Sequence, residues 1–597
     1  MASGTEIKTA FDLAAVKRWT EQLHLRERRC SHADFAAAAE YCARTLESAG
    51  FERVELLTHR ADGVSSAFDC AMPPAWDLCG RSTLRIAGDG AVLADTDAIP
   101  FAAAPWSGPT PPGGVTAELT AAAPEAMPDV RGKWVLLTIR DGHNPSGDFL
   151  ERLRQNGAVG VVAADFLAGE DYPAAVRWFN GTGRFGWYPV AGDERLPLFS
   201  VSAECGGMLL RKLAAGKVML HGEMNTRIGE GVIHTVTAVI PGRSDREFAL
   251  FSHIYEPFAG DNAVGFGASC GIGQAVRRVC GVPEKTLRVV FSMELYGLAA
   301  FLADPDRRER IAGALNMDSL NHRKCRKFRF VRSPVCAPWF GDWVLPPVLN
   351  EGIGELTEAP GALNDDTFPG DPKCGGVPVN WFVNPSGTAH HCGCADFEPD
   401  WERAAREFPE LARAVLRMLQ FDADQCRTFP DLAGHEFREG SRKIAAREIP
   451  RAEKRWLLRA LCDYLAGRLE SAEKYCRTDL DKTGLAAACR DAAAAVTGDA
   501  GFSATEKAAS AVIPVRLKPT PFSMTDIPRD LRRSFRVPRL RYALFDGKRT
   551  LLEAIRIADW ALEERTGDAG IAEEIERLRY LERHGYVALH STPAAET

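Results

Sequence analysis

Short apolar segments that end in polar residues constrain the fold of this chain more than any other feature of its sequence. They read HTVTAVIPG, EFALFSHI, LRVVFSME and ALNMDSL, and helical segments such as GFGASCGIGQAVRRVC lie between them. This alternation predicts an α/β fold with a doubly wound, mostly parallel sheet. In such sheets ligands bind beyond the carboxyl ends of the strands.

Residues with metal-binding side chains lie at or near these strand ends. His253, Glu294 and Asp318 each end a predicted strand, Asp261 follows in the loop GDNAVG, and His391 lies in TAHHCGCAD. Imidazoles and carboxylates are the ligands that divalent metals such as zinc take, and a further carboxylate can move the proton of an attacking water. The set predicts a divalent-metal hydrolase, in which a bound metal activates water and stabilises the oxyanion.

Other interpretations of these residues are weaker or remain open. Asp261 could serve as no more than a cap for the helix that follows it, since Asp is favoured at that position. His390 is an alternative to His391 as the metal ligand. Cys392 and Cys394 do not indicate a thiolate zinc site, because no partner Cys-x-x-Cys exists. No Gly-x-Ser-x-Gly elbow is found, and GFGASCG has the wrong glycine spacing for a dinucleotide site.

The order of these motifs resembles that of the co-catalytic zinc exopeptidases, which include bacterial leucyl-type aminopeptidases, aminopeptidase Y and the non-catalytic transferrin receptors. The matching text is HIY, DNAVG, ELYG, NMD and HH. The resemblance implies one or two zinc ions, with Asp261 bridging two metals and His253 and Asp318 binding one of them. It also implies that His391 serves the other metal and that Glu294 is the general base.

Two positions depart from the family pattern. Leu295 stands where the family has a second glutamate ligand, and Tyr255 replaces the aspartate that orients the first histidine. Tyr255 could support His253 only through its hydroxyl. Three other carboxylates are candidates to replace the missing ones: Glu256, Asp365 and Asp366. The alternatives to a metallo-aminopeptidase are a non-catalytic scaffold that keeps the fold, and a single-zinc aminoacyl transferase resembling the glutaminyl cyclases.

The resemblance covers roughly residues 9–425 and includes an inserted segment similar to a protease-associated domain. Helices and a short final strand near the C-terminus have the order of a winged helix. The predicted organisation is a first part of the peptidase-like core (1–64), an inserted protease-associated-like domain (65–222), the metal-bearing core (223–430), a helical region (431–520) and a winged-helix-like domain (521–597).

Composition limits the partners and the compartment. The 597 residues carry a formal net charge of −7, which gives no reason to expect nucleic-acid binding. No window approaches the ~20 apolar residues that span a bilayer, and the N-terminus lacks the pattern of a signal peptide. We therefore expect a cytoplasmic protein with reduced cysteines. The resemblance implies that its substrate is a peptide or a small amide. We expect the inserted domain and the C-terminal region to restrict access to the site or to mediate homo-oligomer formation.

Overall fold

The computed structural model describes residues 4–498, 501–535 and 537–592. In chain order its strands are β1 (Glu52–Ala61), β2 (Ser66–Ala67), β3 (Cys70–Ala71), β4 (Ala75–Leu78), β5 (Thr83–Ile86), β6 (Val92–Asp95), β7 (Val115–Ala121), β8 (Trp134–Ile139), β9 (Gly160–Asp165), β10 (Leu198–Val201), β11 (Met219–Glu223), β12 (Thr226–Gly229), β13 (Gly231–Ile240), β14 (Ser244–Ile254), β15 (Lys285–Met293), β16 (Ile311–Asp318), β17 (Phe328–Val331), β18 (Leu356–Ala359), β19 (Val379–Val383), β20 (Val512–Arg516) and β21 (Val587–Ser591). Its α-helices are α1 (Gly4–Ala10), α2 (Leu13–Glu27), α3 (His32–Ser48), α4 (Gly147–Gln155), α5 (Phe166–Gly169), α6 (Ala203–Ala215), α7 (Ala263–Cys280), α8 (Tyr296–Leu302), α9 (Pro305–Arg308), α10 (Gly341–Asn350), α11 (Trp401–Leu419), α12 (Ala423–Cys426), α13 (Phe429–Ala445), α14 (Arg451–Cys476), α15 (Thr483–Ala495), α16 (Ala504–Ser510), α17 (Arg539–Ala543), α18 (Leu551–Ala561) and α19 (Asp568–Arg583).

The large sheet runs in the order β1-β13-β15-β14-β16-β19-β17-β18. Its central strands β15, β14, β16 and β19 are parallel neighbours. β13 pairs antiparallel with both β1 and β15, and β17 pairs antiparallel with β19. The predicted α/β fold is confirmed, and its sheet is mixed around a parallel centre because β13, β17 and β18 run against the other strands.

The chain reverses its direction of travel across this sheet at β14. It passes through α7 to β15 on one side of β14, and then through α8 and α9 to β16 on the other side. Because crossovers between parallel strands are right-handed, the two connections place their helices on opposite faces, as in a doubly wound sheet. A ligand crevice forms outside the carboxyl end of the strands at such a reversal, which is where His253 lies.

Helix α7 covers one face of β14 and packs against α2. A Cβ at Gly267 would lie 2.3 Å from Oγ1 of Thr20, and one at Gly271 would lie 2.5 Å from Cγ2 of Val16. The two helices can approach this closely because both positions lack a side chain. The packing fixes the course of α2 and brings its last residue, Glu27, to the end of β14. There Glu27 accepts a hydrogen bond from the backbone N–H of Tyr255.

A second sheet is built from the chain between β1 and β13, in the order β10-β9-β8-β7-β11-β5-β6. The strands β7, β8, β9 and β10 are parallel neighbours, while β11, β5 and β6 pair antiparallel. The loop after α5 reaches the larger sheet, because Arg177 forms an isolated antiparallel bridge with Cys392. The second sheet therefore meets the loop that carries His391.

The C-terminal part of the chain is fastened by Asp69, which lies in the turn between β2 and β3. Its carboxylate accepts hydrogen bonds from the backbone N–H groups of Phe522, Met524 and Thr525 and from the hydroxyl of Tyr586. β20 and β21 then pair antiparallel, with α16, α18 and α19 packed around them.

α14 spans 26 residues, yet neither it nor any other helix in the described ranges is long and apolar enough to cross a bilayer.

Candidate metal centre

Asp261 is the residue around which the predicted ligands gather. Its Oδ1 lies 3.2 Å from Nε2 of His253, and its Oδ2 lies 3.3 Å from Nε2 of His391. Nε2 of His253 also lies 2.8 Å from Oδ1 of Asp318. All four residues are buried and expose only 2 to 8% of their surface. The four residues predicted as metal ligands thus meet in one buried cluster.

The fold explains why residues so far apart in the chain meet here. His253 and Asp318 lie at the carboxyl ends of β14 and β16, which are parallel neighbours. Asp261 lies just before α7, and its peptide bond to Asn262 is cis. His391 follows β19 in a loop and has a φ of 58°, which is rare for a residue with a side chain and is typical of functional sites.

Glu256 supplies a carboxylate to this cluster that sequence analysis could name only as one of three candidates. Its Oε2 lies 3.4 Å from Nε2 of His391, and 3% of the residue is exposed. The other two candidates line the adjoining pocket beside His253 and have other partners: Asp365 forms an ion pair with Arg539, and Asp366 accepts a hydrogen bond from Asn316. Glu256 is therefore the residue that faces His391 in place of the missing glutamate.

The donor atoms gather on two sides of Asp261, with His253 and Asp318 on one side and His391 and Glu256 on the other. Glu256 lies between the sides, since its ligand atom is also within 4.8 Å of those of His253 and Asp261. Two donors bound to a tetrahedral zinc at ~2.0 Å lie about 3.3 Å apart. The imidazole-to-carboxylate separations here, 2.8 to 3.4 Å, surround that value. The residues present therefore fit a divalent metal, and imidazole and carboxylate donors fit zinc.

His390 stays close to the second group. Its ring stacks on that of His391 with centroids 3.8 Å apart, and its donor nitrogen lies within 4.8 Å of those of Asp261 and His391. Unlike its neighbour His391, His390 is exposed. His391 is the histidine whose Nε2 faces both carboxylates, and His390 is an additional donor beside it.

Glu294, the predicted general base, lines the same small pocket as His253 and Asp366. Burial raises the pKa of Glu294 well above its usual value; the positive charge of His253 lowers it, and Glu256 and Asp366 raise it again. Leu295 follows with φ 60° and ψ −62°, and Tyr296 N–H donates to the carbonyl of Glu294 across it at 2.7 Å. This γ-turn leads the chain directly into α8.

The electrostatics of the cluster favour positive charge. Burial by itself would lower the pKa of His253, but the carboxylates around the ring raise it well above the usual histidine value. Burial likewise opposes charge on His391, but its contacts with Asp261 and Glu256 raise its pKa to about 9. Burial and the charge of Asp261 raise the pKa of Asp318 to about 6. A bound cation would relieve the repulsion among these carboxylates.

The hydroxyl of Tyr255, the one group through which it could support His253, is bonded elsewhere. This hydroxyl donates to the carbonyl of Cys30 at 2.6 Å and lies 2.9 Å from Nδ1 of His32, so it is directed toward α3. The backbone N–H of Tyr255 instead donates to Oε1 of Glu27 at 2.6 Å. Sequence analysis did not single out Glu27, because nothing local marks a carboxylate at a helix end as part of a distant site.

The connection between α5 and β10 forms part of the surroundings of His391. The backbone N–H of Trp178 donates to the carbonyl of His391 at 2.8 Å, and the two rings meet edge to face with centroids 5.0 Å apart. On another side the ring of Phe258 lies parallel to that of His391, at 6.2 Å. Sequence analysis placed no functional residue in the segment that contains Trp178, because a buried tryptophan carries no signal of the loop it supports.

Comparison with known proteins shows what this fold is similar to. No protein-family profile matches the sequence, and no curated protein matches it either. Among solved structures, a peptidase M28 precursor from Shewanella amazonensis SB2B superposes with a TM-score of 0.52 and 17% identity, covering 70% of this chain and 96% of that one. BSAP, a zinc aminopeptidase from Bacillus subtilis, superposes with a TM-score of 0.50 and 15% identity, covering 69% and 96%. At these identities the likeness shows the fold, and the chain has the fold of these peptidases.

Proposed function

We propose that this protein is a metal-dependent hydrolase of amide bonds, acting as an aminopeptidase on peptides or related small amides. The observation that carries the proposal is the division of Asp261 between two imidazoles, with Oδ1 facing His253 and Oδ2 facing His391. A carboxylate that presents one oxygen to each of two ligand groups is suited to bridge two divalent ions. The shared fold with a zinc aminopeptidase from Bacillus subtilis supports this choice of metal and activity.

In this proposal the chain holds two zinc ions. His253 and Asp318 bind one ion, His391 and Glu256 bind the other, and Asp261 binds both. Glu256 carries the role that the sequence pattern leaves vacant at Leu295. The spacing of the donors, 2.8 to 3.4 Å between each imidazole nitrogen and its facing carboxylates, supports both halves of the site.

Glu294 moves the proton in the proposed reaction. When bound, divalent metal supplies a Lewis acid for the scissile carbonyl and acidifies a water molecule. Glu294 takes a proton as water adds to that carbonyl, and then gives it to the departing amine as the amide bond breaks. Its place in the pocket beside His253 supports this role, since a base must lie within reach of the attacking water.

The protein excludes bulk water from this chemistry. Each residue proposed as a ligand exposes less than a tenth of its surface, and Trp178 and Phe258 pack on two sides of His391. Charged groups interact more strongly in such a site than in water, because the surrounding dielectric constant is lower. The enclosure therefore strengthens the stabilisation of charge that develops on the substrate.

The two rival functions rest on weaker ground. A non-catalytic scaffold was favoured in the sequence by Leu295 and Tyr255, but Glu256 supplies the carboxylate that Leu295 lacks. A single-zinc aminoacyl transferase needs one group of donors, whereas two groups meet at Asp261. Both observations favour the two-metal hydrolase.

The decisive experiment measures zinc content and activity on the same preparations. Wild-type protein and Glu294→Gln are loaded with zinc, freed of excess metal, and assayed on a panel of aminoacyl amides and on a peptide with N-terminal glutamine. Glu309→Gln is the matched control, because this glutamate is exposed just after α9. We expect equal zinc content in all three and activity reduced ~10²- to 10⁴-fold only in Glu294→Gln, the usual contribution of a general base.

Two other outcomes would each support one of the rival functions, and a third would contradict the proposal. Zinc binding without hydrolysis of any amide supports the scaffold, and cyclisation of the N-terminal glutamine with one ion per chain supports the transferase. Protein that retains no zinc after loading contradicts the proposal as a whole.

A further inference from the structure

Glu27 is a buried acid whose position has no structural explanation within its own helix. It is the last residue of α2 and exposes 1% of its surface. Among the described residues, no basic side chain lies within ion-pair distance of Glu27, although His253 is near enough for its charge to act on the carboxyl group. A buried carboxylate without a paired cation is costly. Such a group is retained at a cost to stability unless another charge comes to it.

Only one of the two carboxylate oxygens of Glu27 is used. Oε1 accepts the backbone N–H of Tyr255 at 2.6 Å, while Oε2 is buried and accepts no hydrogen bond from the described residues. The first oxygen therefore ties the end of α2 to the chain just beyond His253. The second oxygen has no hydrogen-bond partner among the described residues.

His253 also has a buried atom without a hydrogen-bond partner among the described residues. Its Nε2 faces Asp261 and Asp318, but its Nδ1 is buried and without a hydrogen-bond partner among the described residues. A histidine that binds metal through one ring nitrogen normally donates its other N–H to a carboxylate, a carbonyl or water. Tyr255 follows β14 directly, and its hydroxyl donates to the carbonyl of Cys30 instead.

We propose that Glu27 is the positioning residue for His253, its free oxygen accepting a hydrogen bond from Nδ1–H when the metal site is filled. The inference rests on the proposed function, because it gives His253 a metal to bind. The bond fixes the tautomer in which Nε2 carries the lone pair and holds the ring toward Asp261 and Asp318. It also gives Glu27 the positive charge that its buried position lacks, since bound metal places net positive charge beyond the imidazole.

A purely structural role is the competing explanation, in which Glu27 only ties α2 to the end of β14. Glu27→Gln separates the two roles. The amide oxygen of glutamine can still accept the N–H of Tyr255, so the structural bond remains. The amide NH₂ that replaces Oε2 cannot accept a proton from Nδ1 of His253, so the positioning bond is lost.

The test measures zinc affinity in full-length protein that keeps one half of the site at a time. In a His391→Ala background, zinc is bound through the His253 half, and in a His253→Ala background through the other half. Competition with a chromophoric chelator gives each affinity with and without Glu27→Gln. The matched control is Glu574→Gln, which removes a carboxylate that is 1% exposed in the distant helix α19.

We expect Glu27→Gln to weaken zinc ~10- to 100-fold at the His253 half, the usual effect of losing such a partner, and to leave the other half unchanged. Equal weakening of both halves, or of neither, overturns the positioning role while the metal site stands. Wild-type protein that binds no zinc overturns both this inference and the proposed function.

A second measurement does not depend on the variant folding. In a crystal structure of zinc-loaded wild-type protein, we expect Oε2 of Glu27 to lie within ~3.2 Å of Nδ1 of His253. Zinc bound at Nε2 with Nδ1 donating to any other group would overturn the assignment.

Discussion

Glu256 places a buried carboxylate oxygen 3.4 Å from Nε2 of His391, and the proposed second metal ion depends on this contact. Glu256 lies just beyond β14, whereas His391 lies in the loop after β19. Without Glu256, the group around His391 would have Asp261 as its only carboxylate among the residues predicted from sequence. With it, each half of the site has one imidazole and two carboxylates.

Removing Glu256 should therefore empty one half of the site. We expect Glu256→Ala to lower the zinc content from two ions per chain to one, because the His391 half then keeps a single carboxylate. Zinc content is measured by elemental analysis after removal of weakly bound metal. Asp366→Asn is the control, since Asp366 lines the pocket but is bonded to Asn316. Two ions retained in Glu256→Ala would show that Glu256 is not a ligand.

The buried carboxyl of Glu27 should make the zinc-free protein sensitive to pH. Burial raises the pKa of Glu27 to about 8, opposed in part by the N–H of Tyr255 and the charge of His253, while Glu256 raises it. The unfolded value is about 4.3. Between the two values the folded chain holds a proton that the unfolded chain has lost, so the free energy of unfolding falls as pH rises and levels off above pH 8.

Glu27→Gln should remove that dependence. Relative to wild type, we expect the variant to gain up to ~1.4 kcal/mol of stability per pH unit across this interval. Denaturant unfolding of zinc-free protein at several pH values gives the difference. The exposed Glu309→Gln should follow wild type at every pH. Parallel curves for wild type and Glu27→Gln would show that the carboxyl is not buried as described.

Trp178 should affect the metal site from the connection between α5 and β10. Its fully buried ring packs edge to face on His391, so Trp178→Ala should cost about 3–5 kcal/mol of stability. It should also lower zinc affinity at the His391 half by loosening the loop. Trp134→Ala is the control, because Trp134 is equally buried, in β8 of the second sheet, but contacts Phe199 rather than the site. Similar zinc affinity in the two variants would remove Trp178 from the support of His391.

Asp69 should control whether the C-terminal segment stays in place. Its carboxylate accepts three backbone N–H groups from residues 522–525, and hydrogen bonds to charged groups contribute about 1.5–3 kcal/mol each, without adding fully. We expect Asp69→Ala to destabilise the protein by about 3 kcal/mol and to speed limited proteolysis within residues 517–535. Asp526→Ala removes an exposed partner of Lys518 and should change stability by less than about 0.5 kcal/mol. Equal cleavage of the two variants would contradict the role of Asp69.

The parallel centre of the sheet could be predicted from sequence because its strands are buried on both faces. Every residue of β15 is buried, and such strands read as continuous apolar runs. The direction of β13 could not be predicted in the same way. It is also almost wholly buried, and composition does not distinguish a buried antiparallel strand from a parallel one. Only pairing with β15 shows which way it runs.

The candidate ligands could be predicted where a local pattern marks them, as at the strand ends of His253 and Asp318. The choice of Glu256 could not, since turns rather than patterns decide which carboxylate faces His391. Glu27 is further still from prediction. Its approach to β14 depends on how α2 packs against the glycines of α7, which is a property of the assembled fold and not of either segment alone.

The bond between Trp178 and His391 also sets an order of events in time. Trp178 lies in the connection between α5 and β10 of the second sheet, whose strands precede most of the larger sheet in the chain, so during synthesis that part leaves the ribosome well before His391 does. Domains fold largely in the order in which they emerge. The wall against which the His391 loop docks is thus available first, and the loop arrives last. In the proposed two-metal site, binding of the second ion would then be a late step of maturation, and a chain that stalls before His391 emerges would lack a ligand of that ion.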